Sequence, residues 1–444
     1  LRNLALGITF LLAACGGSET AQDNATNPAG LAPNKTNSFN RMFGGGAGFA
    51  AVSADESLAA EVGRDVLAGG GNAVDAAVAM YFAMAVTLPS AAGLGATGVC
   101  IEHDAKSRSA EAFVFGPVAA PGPVGGVPFA VPSGVRAIAL MHIRHGLTRW
   151  EALVAPAERL ARNGIPVSRA LSRDLQAGAP LLGSDPEARR VYGRGTGTAI
   201  TEGDIWSQTD LAGTLGGLRQ RGGSDFFAGS FARLLSTQVQ QMGGSLPLEA
   251  LRNAVPQTGA PASESYGSFS GFKVYVAPAP MAGASALAGW SGQPGGASGV
   301  TGNSEGISGL VAVDSKGNAA ACSLSMGQLF GTRRMVPGTG ILLGAITATS
   351  SAVSPLIIAN PGNGEFRFAG AGGGSPDAAF ATGAIARAVF ENRQTVGAAM
   401  SARNGRGGYV NAIACPEGIR GGSNSCQTAI DPAGSGLAMI ATSR

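Results

Sequence analysis

The chain has 444 residues, a formal charge of +3, 13% charged residues and 70 glycines. This composition describes a loop-rich globular protein with a sizeable core and excludes a disordered or coiled-coil chain. So small a charge, with no lysine or arginine run interleaved with aromatics, excludes nucleic acid as a partner.

Leu4 to Ala14 is an apolar run too short to span a bilayer, so residues 1–14 are expected to be a secretory signal peptide. The run ends in Leu12-Ala13-Ala14-Cys15-Gly16, which resembles the lipobox of bacterial lipoproteins. The resemblance implies cleavage before Cys15 and lipidation of that residue; an ordinary signal peptide with an incidental cysteine is the alternative. Two or more acyl chains, at about 0.8 kcal/mol per buried methylene, would hold the protein on a membrane. The expected location is the bacterial cell envelope, lipid-anchored and facing the periplasm. Residues 15–48, rich in Gly, Ser, Thr, Asn and Pro, read as a flexible tether.

Export bears on the other cysteines. Cys415 and Cys426 lie in a Gly/Ser/Asn-rich segment and are expected to form a disulfide. Cys100 and Cys322 lie in apolar strand-like runs and are expected to be buried small hydrophobes. Histidine occurs only at His103, His142 and His145, with no close Cys/His cluster, so neither a zinc site nor any cofactor is expected.

Order is expected from the short strand Phe49-Ala50-Ala51-Val52-Ser53. A helix follows with Leu58, Val62, Val66 and Leu67 at helical spacing, ended by Gly69-Gly70-Gly71. Asn72 is expected to cap a second, almost wholly apolar helix running to about Leu88. Asp75 and Pro89 leave this helix too few residues to cross a membrane, so it reads as buried on all sides. Gly93-Leu94-Gly95-Ala96-Thr97-Gly98 matches the dinucleotide fingerprint, but a helix precedes it and a strand follows, the reverse of the order that chemistry needs. Those glycines therefore read as tight backbone packing. Helices are expected either side of His145-Gly146, ending at Arg162-Asn163-Gly164, and again over Leu211 to Arg221 and Phe226 to Met242.

The stretch from Asn303 to Leu343 organises the rest. Leu310-Val311-Ala312-Val313 meets the turn Asp314-Ser315-Lys316-Gly317-Asn318 and returns through Ala319 to Ser325, the pattern of a β-hairpin. Ser308, a small hydroxyl residue between Gly306 and Gly309, stands at its head. Strands near Pro355 to Ala359 and Glu365 to Ala369, a Gly-rich loop from Gly370 to Pro376 and a helix from Asp377 to about Glu391 follow.

No serine sits in a clear nucleophile elbow, so a Ser-His-Asp triad is poorly supported. The other solution is an amino-terminal Thr, Ser or Cys whose own α-amine, with a pKa of about 8, acts as base. Internal cleavage must expose that residue.

Several stretches resemble γ-glutamyltransferases: Gly70 to Ala77, Gly93 to Gly98, Val131-Pro132-Ser133-Gly134, Leu153 to Gly164, Val313-Asp314 with Gly317-Asn318-Ala319, and Gly338-Thr339-Gly340-Ile341-Leu342-Leu343. They occur in the family's order over roughly residues 49 to 390. The resemblance implies an α+β Ntn-hydrolase fold, a four-layer αββα sandwich. It also implies a proenzyme split into large and small subunits, here 49–307 and 308–444, intertwined in one domain. The family's second hydroxyl, which contacts the nucleophile, falls on Ser325, and its oxyanion glycine pair on Gly373 and Gly374.

Three departures from the family pattern stand out. Counting back from Asp314 without a gap puts the family's threonine at Ile307; a one-residue deletion puts it at Ser308, the expected nucleophile. The arginine expected for the substrate α-carboxylate is missing from Phe115-Gly116-Pro117-Val118-Ala119, and the acidic partner for its α-amine is missing from Gly344-Ala345-Ile346-Thr347. The serine pair for the carboxylate survives as Ser350-Ser351, with its spacing to Ser354-Pro355 one residue longer than the family's. Losing both charges forfeits charge-assisted hydrogen bonds of roughly 1.5 to 3 kcal/mol each, which argues against free glutathione. The expected function is a self-processing amide hydrolase or acyltransferase acting on a small γ-glutamyl or other acyl-amide substrate, with altered acyl specificity. The alternative is an unprocessed, inactive envelope-anchored binding protein on the same fold.

Overall fold

A computed structural model of the chain describes residues 48–194, 197–265, 271–294, 305–419 and 425–441. The signal peptide, Cys15, almost all of the tether, Asn303 and Ser304 lie outside the described residues.

In chain order the strands of the two large sheets are β1 (Ala50–Ala54), β2 (Thr97–Asp104), β3 (Ser109–Phe115), β4 (Gln257–Gly259), β5 (Ala262–Ser265) and β6 (Lys273–Val276). After them come β7 (Ile307–Val313), β8 (Ala319–Ser325), β9 (Leu356–Ala359), β10 (Phe366–Gly373), β11 (Tyr409–Ala414), β12 (Gln427–Ala429) and β13 (Leu437–Ala441). Among the described residues the first sheet runs β13-β1-β7-β8-β2-β3-β4 and the second β12-β11-β10-β9-β6-β5, all antiparallel. Both sheets contain strands from before and after Ser308, and in the first sheet they interleave.

Side-chain alternation explains the layering. Leu310 and Ala312 of β7, with Ala320, Cys322 and Leu324 of β8, face helices Ser57–Ala68 and Ala73–Thr87. The intervening Val311, Val313, Ala319 and Ala321 meet Ile357, Ala369, Ala371 and Ile413 of the second sheet. The far face of that sheet, including Val274, Val276, Ile358 and Phe368, packs on residues of helices Gly283–Trp290, Ala378–Phe390 and Val396–Arg403. Helix, sheet, sheet and helix make the four-layer αββα sandwich. Strands covered on both faces are mostly apolar, which is why β7 and β8 lack the regular polar alternation of a one-sided sheet.

Every residue of helix Ala73–Thr87 is buried, and Asn72 and Asp75 form a reciprocal capping box at its start. The turn of the β7–β8 hairpin ties to the same end: Asp314 Oδ2 accepts from Ala73 N–H at 3.3 Å and from Asn318 Nδ2 at 2.8 Å. Gly93 to Gly98 follows helix Pro89–Ala92 and runs into the start of β2, and a Cβ on Gly95 would come 2.2 Å from the Leu342 carbonyl oxygen. Close backbone packing accounts for that glycine.

Three expectations are corrected. Cys100 and Cys322 are buried as expected but joined in a disulfide, because β2 and β8 pair with these residues directly opposite and their Cα atoms 4.0 Å apart. The helix expected over Phe226 to Met242 is two, Asp225–Ala228 and Ser230–Gln241. Asp225 breaks it by turning its carboxylate back to accept from Ser230 N–H (2.7 Å) and Ser230 Oγ (3.1 Å), leaving no room for a Cβ on Gly229. Gly370 to Gly373 belong to β10 rather than to a loop, since they pair with Tyr409 to Ala412. The expected Cys415–Cys426 disulfide is present.

Candidate functional site

The site forms where β1 stops short of its neighbour. β1 pairs with β7 from Ala51–Val313 to Ala54–Leu310, and beyond Ala54 the Asp55 side chain takes over the strand's hydrogen-bonding role. Asp55 Oδ2 accepts from Gly309 N–H at 2.7 Å and from Ser308 Oγ at 2.8 Å. Asp55 Oδ1 accepts from Asn411 Nδ2 at 2.5 Å, and Asn411 in turn accepts from Ser53 Oγ at 2.9 Å. Asn411 comes from the second sheet, so this polar chain bridges both sheets.

Ser308, Asp55 and Asn411 are all buried. Burial pushes the Asp55 carboxyl up to about 7; the hydrogen bonds from Gly309, Asn411 and Ser308 and the charge of Arg173 pull it down without prevailing. A carboxyl held there is poised to take a proton near neutral pH.

The carbonyl preceding Ser308 has its own donor. Gly374 N–H reaches Ile307 O at 2.9 Å, in a backbone conformation of φ +80 that favours glycine. A Cβ on Gly373 would lie 2.6 Å from Asp55 Oδ2, 2.6 Å from the Tyr409 ring and 3.0 Å from Ile307 O. Both glycines therefore sit against the Ile307–Ser308 peptide. Gly309 completes the close approach, since a Cβ there would meet the Ala371 backbone at 2.8 Å. A hydroxyl, a carboxyl able to accept its proton and an amide on the adjacent carbonyl oxygen are the parts that acyl transfer needs. Among the described residues no group of three or more His, Cys, Asp or Glu converges as a metal site would require.

The expected second hydroxyl is not part of this constellation. Ser325 stands opposite Ile307, whereas Ser308 stands opposite Leu324, and the Ser325 hydroxyl accepts from Gly327 N–H at 2.9 Å. This is the ungapped register: Ile307 holds the place across from Ser325, with its side chain among Val99, Val114, Ala277, Met281 and Val353. The serine pair divides as well. Ser350 is buried and stabilises a turn, accepting from Thr347 N–H at 2.8 Å and donating to Ala345 O at 3.2 Å. Ser351 lines a cleft of about 210 Å³ together with Val114 to Val118, the segment from which the arginine is missing.

Asp55 and Asn411 were missed in the sequence. The available signal was an acidic pair, Asp55-Glu56, directly after an apolar strand. Glu56 caps the next helix, its Oε2 accepting from Ala59 N–H at 3.0 Å, whereas Asp55 turns inward.

Two antiparallel sheets between helical layers are the fold of the Ntn-hydrolase class. A solved cephalosporin acylase from Bacillus halodurans has this fold, with a TM-score of 0.73 over 93% of this chain and 98% of that one, at 18% identity. A family model described as gamma-glutamyltranspeptidase matches residues 59–292, more than half of the chain, and the chain belongs to that family. The glutathione hydrolase proenzyme of Bacillus subtilis strain 168 is 31% identical over 254 residues, covering 52% of this chain and 42% of that one. Human glutathione hydrolase 6 is 29% identical over 319 residues, covering 68% and 60%. The chain thus spans less than two thirds of the length of these curated relatives. The family match ends before the hairpin, so the roles of Ser308 and its neighbours rest on their geometry.

Proposed function

We propose that the chain is a self-processing amide hydrolase or acyltransferase of γ-glutamyltranspeptidase type, cut before Ser308. The observation that carries this reading is the Ser308–Asp55 hydrogen bond beside a carbonyl already held by Gly374 N–H. In self-cleavage Asp55 accepts the Ser308 hydroxyl proton as Oγ attacks the Ile307 carbonyl carbon. Gly374 N–H stabilises the oxyanion, and the Ile307–Ser308 C–N bond breaks as its nitrogen takes that proton from Asp55. Water then hydrolyses the resulting ester, releasing the Ile307 carboxylate and a free Ser308 amine and hydroxyl. In turnover that hydroxyl is the nucleophile and the amine its base. The neutral segment at Phe115 to Ala119 supports an acyl specificity other than free glutathione.

The same reading places the protein in the cell envelope, lipid-anchored through Cys15. The lipobox-like run supports this, and so do two disulfides, the state expected of an oxidising compartment. Incorporation of labelled palmitate, abolished by Cys15→Ser, is the expected result.

Electrophoresis of the purified protein under reducing, denaturing conditions tests the main reading. Two fragments are expected from the natural chain and one from Ser308→Ala. One uncut band from both would leave the chain as an unprocessed binding protein.

A further inference from the structure

Cleavage before Ser308 would leave Ile307 as a chain end, and the position of its side chain bears on what the cut enzyme accepts. Ile307 is fully buried and fills a slot walled by Val99, Val114, Ala277, Met281 and Val353. This slot adjoins the cleft of about 210 Å³: Val114 belongs to both, Pro280 of the cleft precedes Met281 of the slot, and Ser351 lies two residues from Val353. None of the described residues lining the cleft is charged; its polar members are Ser133, Gln257 and Ser351. A γ-glutamyl group would bring an ammonium and a carboxylate into this space, and desolvating either without a partner is unfavourable. An alkyl group would replace the contacts that Ile307 makes in the uncut chain.

Resting on the processing reading above, we propose that Ile307 plugs the acyl site of the precursor and that the cut enzyme acts on amides of small, neutral, apolar acyl groups. The volume fits this class, being below the roughly 300 to 1,000 Å³ of sites for drug-sized ligands. Withdrawal of the new Ile307 carboxylate opens the slot beside the Ser308 amine. The amine takes the Ser308 hydroxyl proton as Oγ bonds to the substrate carbonyl carbon. The amide C–N bond breaks with that proton passing to the leaving amine, and water splits the acyl ester to the carboxylic acid.

The test compares the cut protein on hexanoyl-p-nitroanilide and γ-glutamyl-p-nitroanilide, with cutting scored separately by reducing electrophoresis. The expected kcat/KM is at least about tenfold higher for the hexanoyl amide, the discrimination available to an apolar pocket. Val118 is half-exposed at the cleft, so Val118→Arg should fold, as its melting curve will report, and should shift preference at least about fivefold toward the γ-glutamyl amide by supplying a charge partner. Cut protein that turns over the γ-glutamyl amide as fast as the hexanoyl one, or turns over neither, overturns this inference while leaving the processing intact. An uncut chain overturns both.

Discussion

The Ser308 hydroxyl donates to Asp55 Oδ2 at 2.8 Å across 253 positions of sequence. Asp55 directly follows the first strand of the fold and Ser308 is the second residue of the central hairpin, so the pair exists only once the first sheet is assembled. Self-cleavage on this geometry follows folding.

Removing the nucleophile or its base should separate chemistry from folding. Ser308→Ala should abolish cutting, and Asp55→Asn, which keeps the shape but cannot accept the proton, should slow it by about 10² to 10⁴-fold. Ser308→Thr keeps the hydroxyl but adds a methyl in a fully buried site, so it should still cut, only more slowly. A time course of fragment appearance checks all three. Normal cutting by Asp55→Asn would remove Asp55 from the mechanism.

The pH dependence has a definite sign. Asp55 titrates at about 7 in the folded chain against an ordinary 3.8, so the folded state holds the extra proton between those values. Its contribution to stability is full below about 4 and falls as pH rises to about 7, by on the order of 4 kcal/mol. Glu102, pushed up to about 8 by burial and then by neighbouring carboxylates, acts in the same direction. Melting temperature should therefore fall between pH 5 and 8, less steeply in Asp55→Asn. The cutting rate should rise over the same window as Asp55 ionises.

Gly373→Ala should both destabilise the protein and slow cutting. Its Cβ would overlap the Asp55 carboxylate and the buried Tyr409 ring at 2.6 Å, and neither neighbour is free to retreat. A loss of about 1 to 3 kcal/mol is expected for such overpacking, measurable by denaturant unfolding.

The Cys100–Cys322 disulfide crosses the cut, with one cysteine on each side of Ser308. The two fragments should therefore migrate as one species without reductant and separate when reduced. In the Cys100→Ser, Cys322→Ser double variant they should separate without reductant. Two bands from unreduced natural protein would mean that the bond does not form.

Much of the fold was legible in the sequence because it is written in local terms. Apolar period, capping residues and glycine stops marked helices Ser57–Ala68 and Ala73–Thr87, and the Asp314 turn marked the hairpin. The site was less legible because its parts meet only through tertiary pairing. Asp55 and Asn411 lie 356 positions apart and carry no motif. The Cys100–Cys322 bond depends on the register of β2 with β8, which no spacing reveals. Counting residues fixes the distance of Ser325 from Asp314 but not the partner it faces, and the register sets it opposite Ile307 rather than Ser308.

The most direct measurement is amino-terminal sequencing of the smaller fragment after reduction of the purified protein. Ser308-Gly309-Leu310-Val311-Ala312 is expected at its start, and no such fragment from Ser308→Ala. A fragment beginning at any other residue, or a chain that stays whole, would contradict cleavage before Ser308.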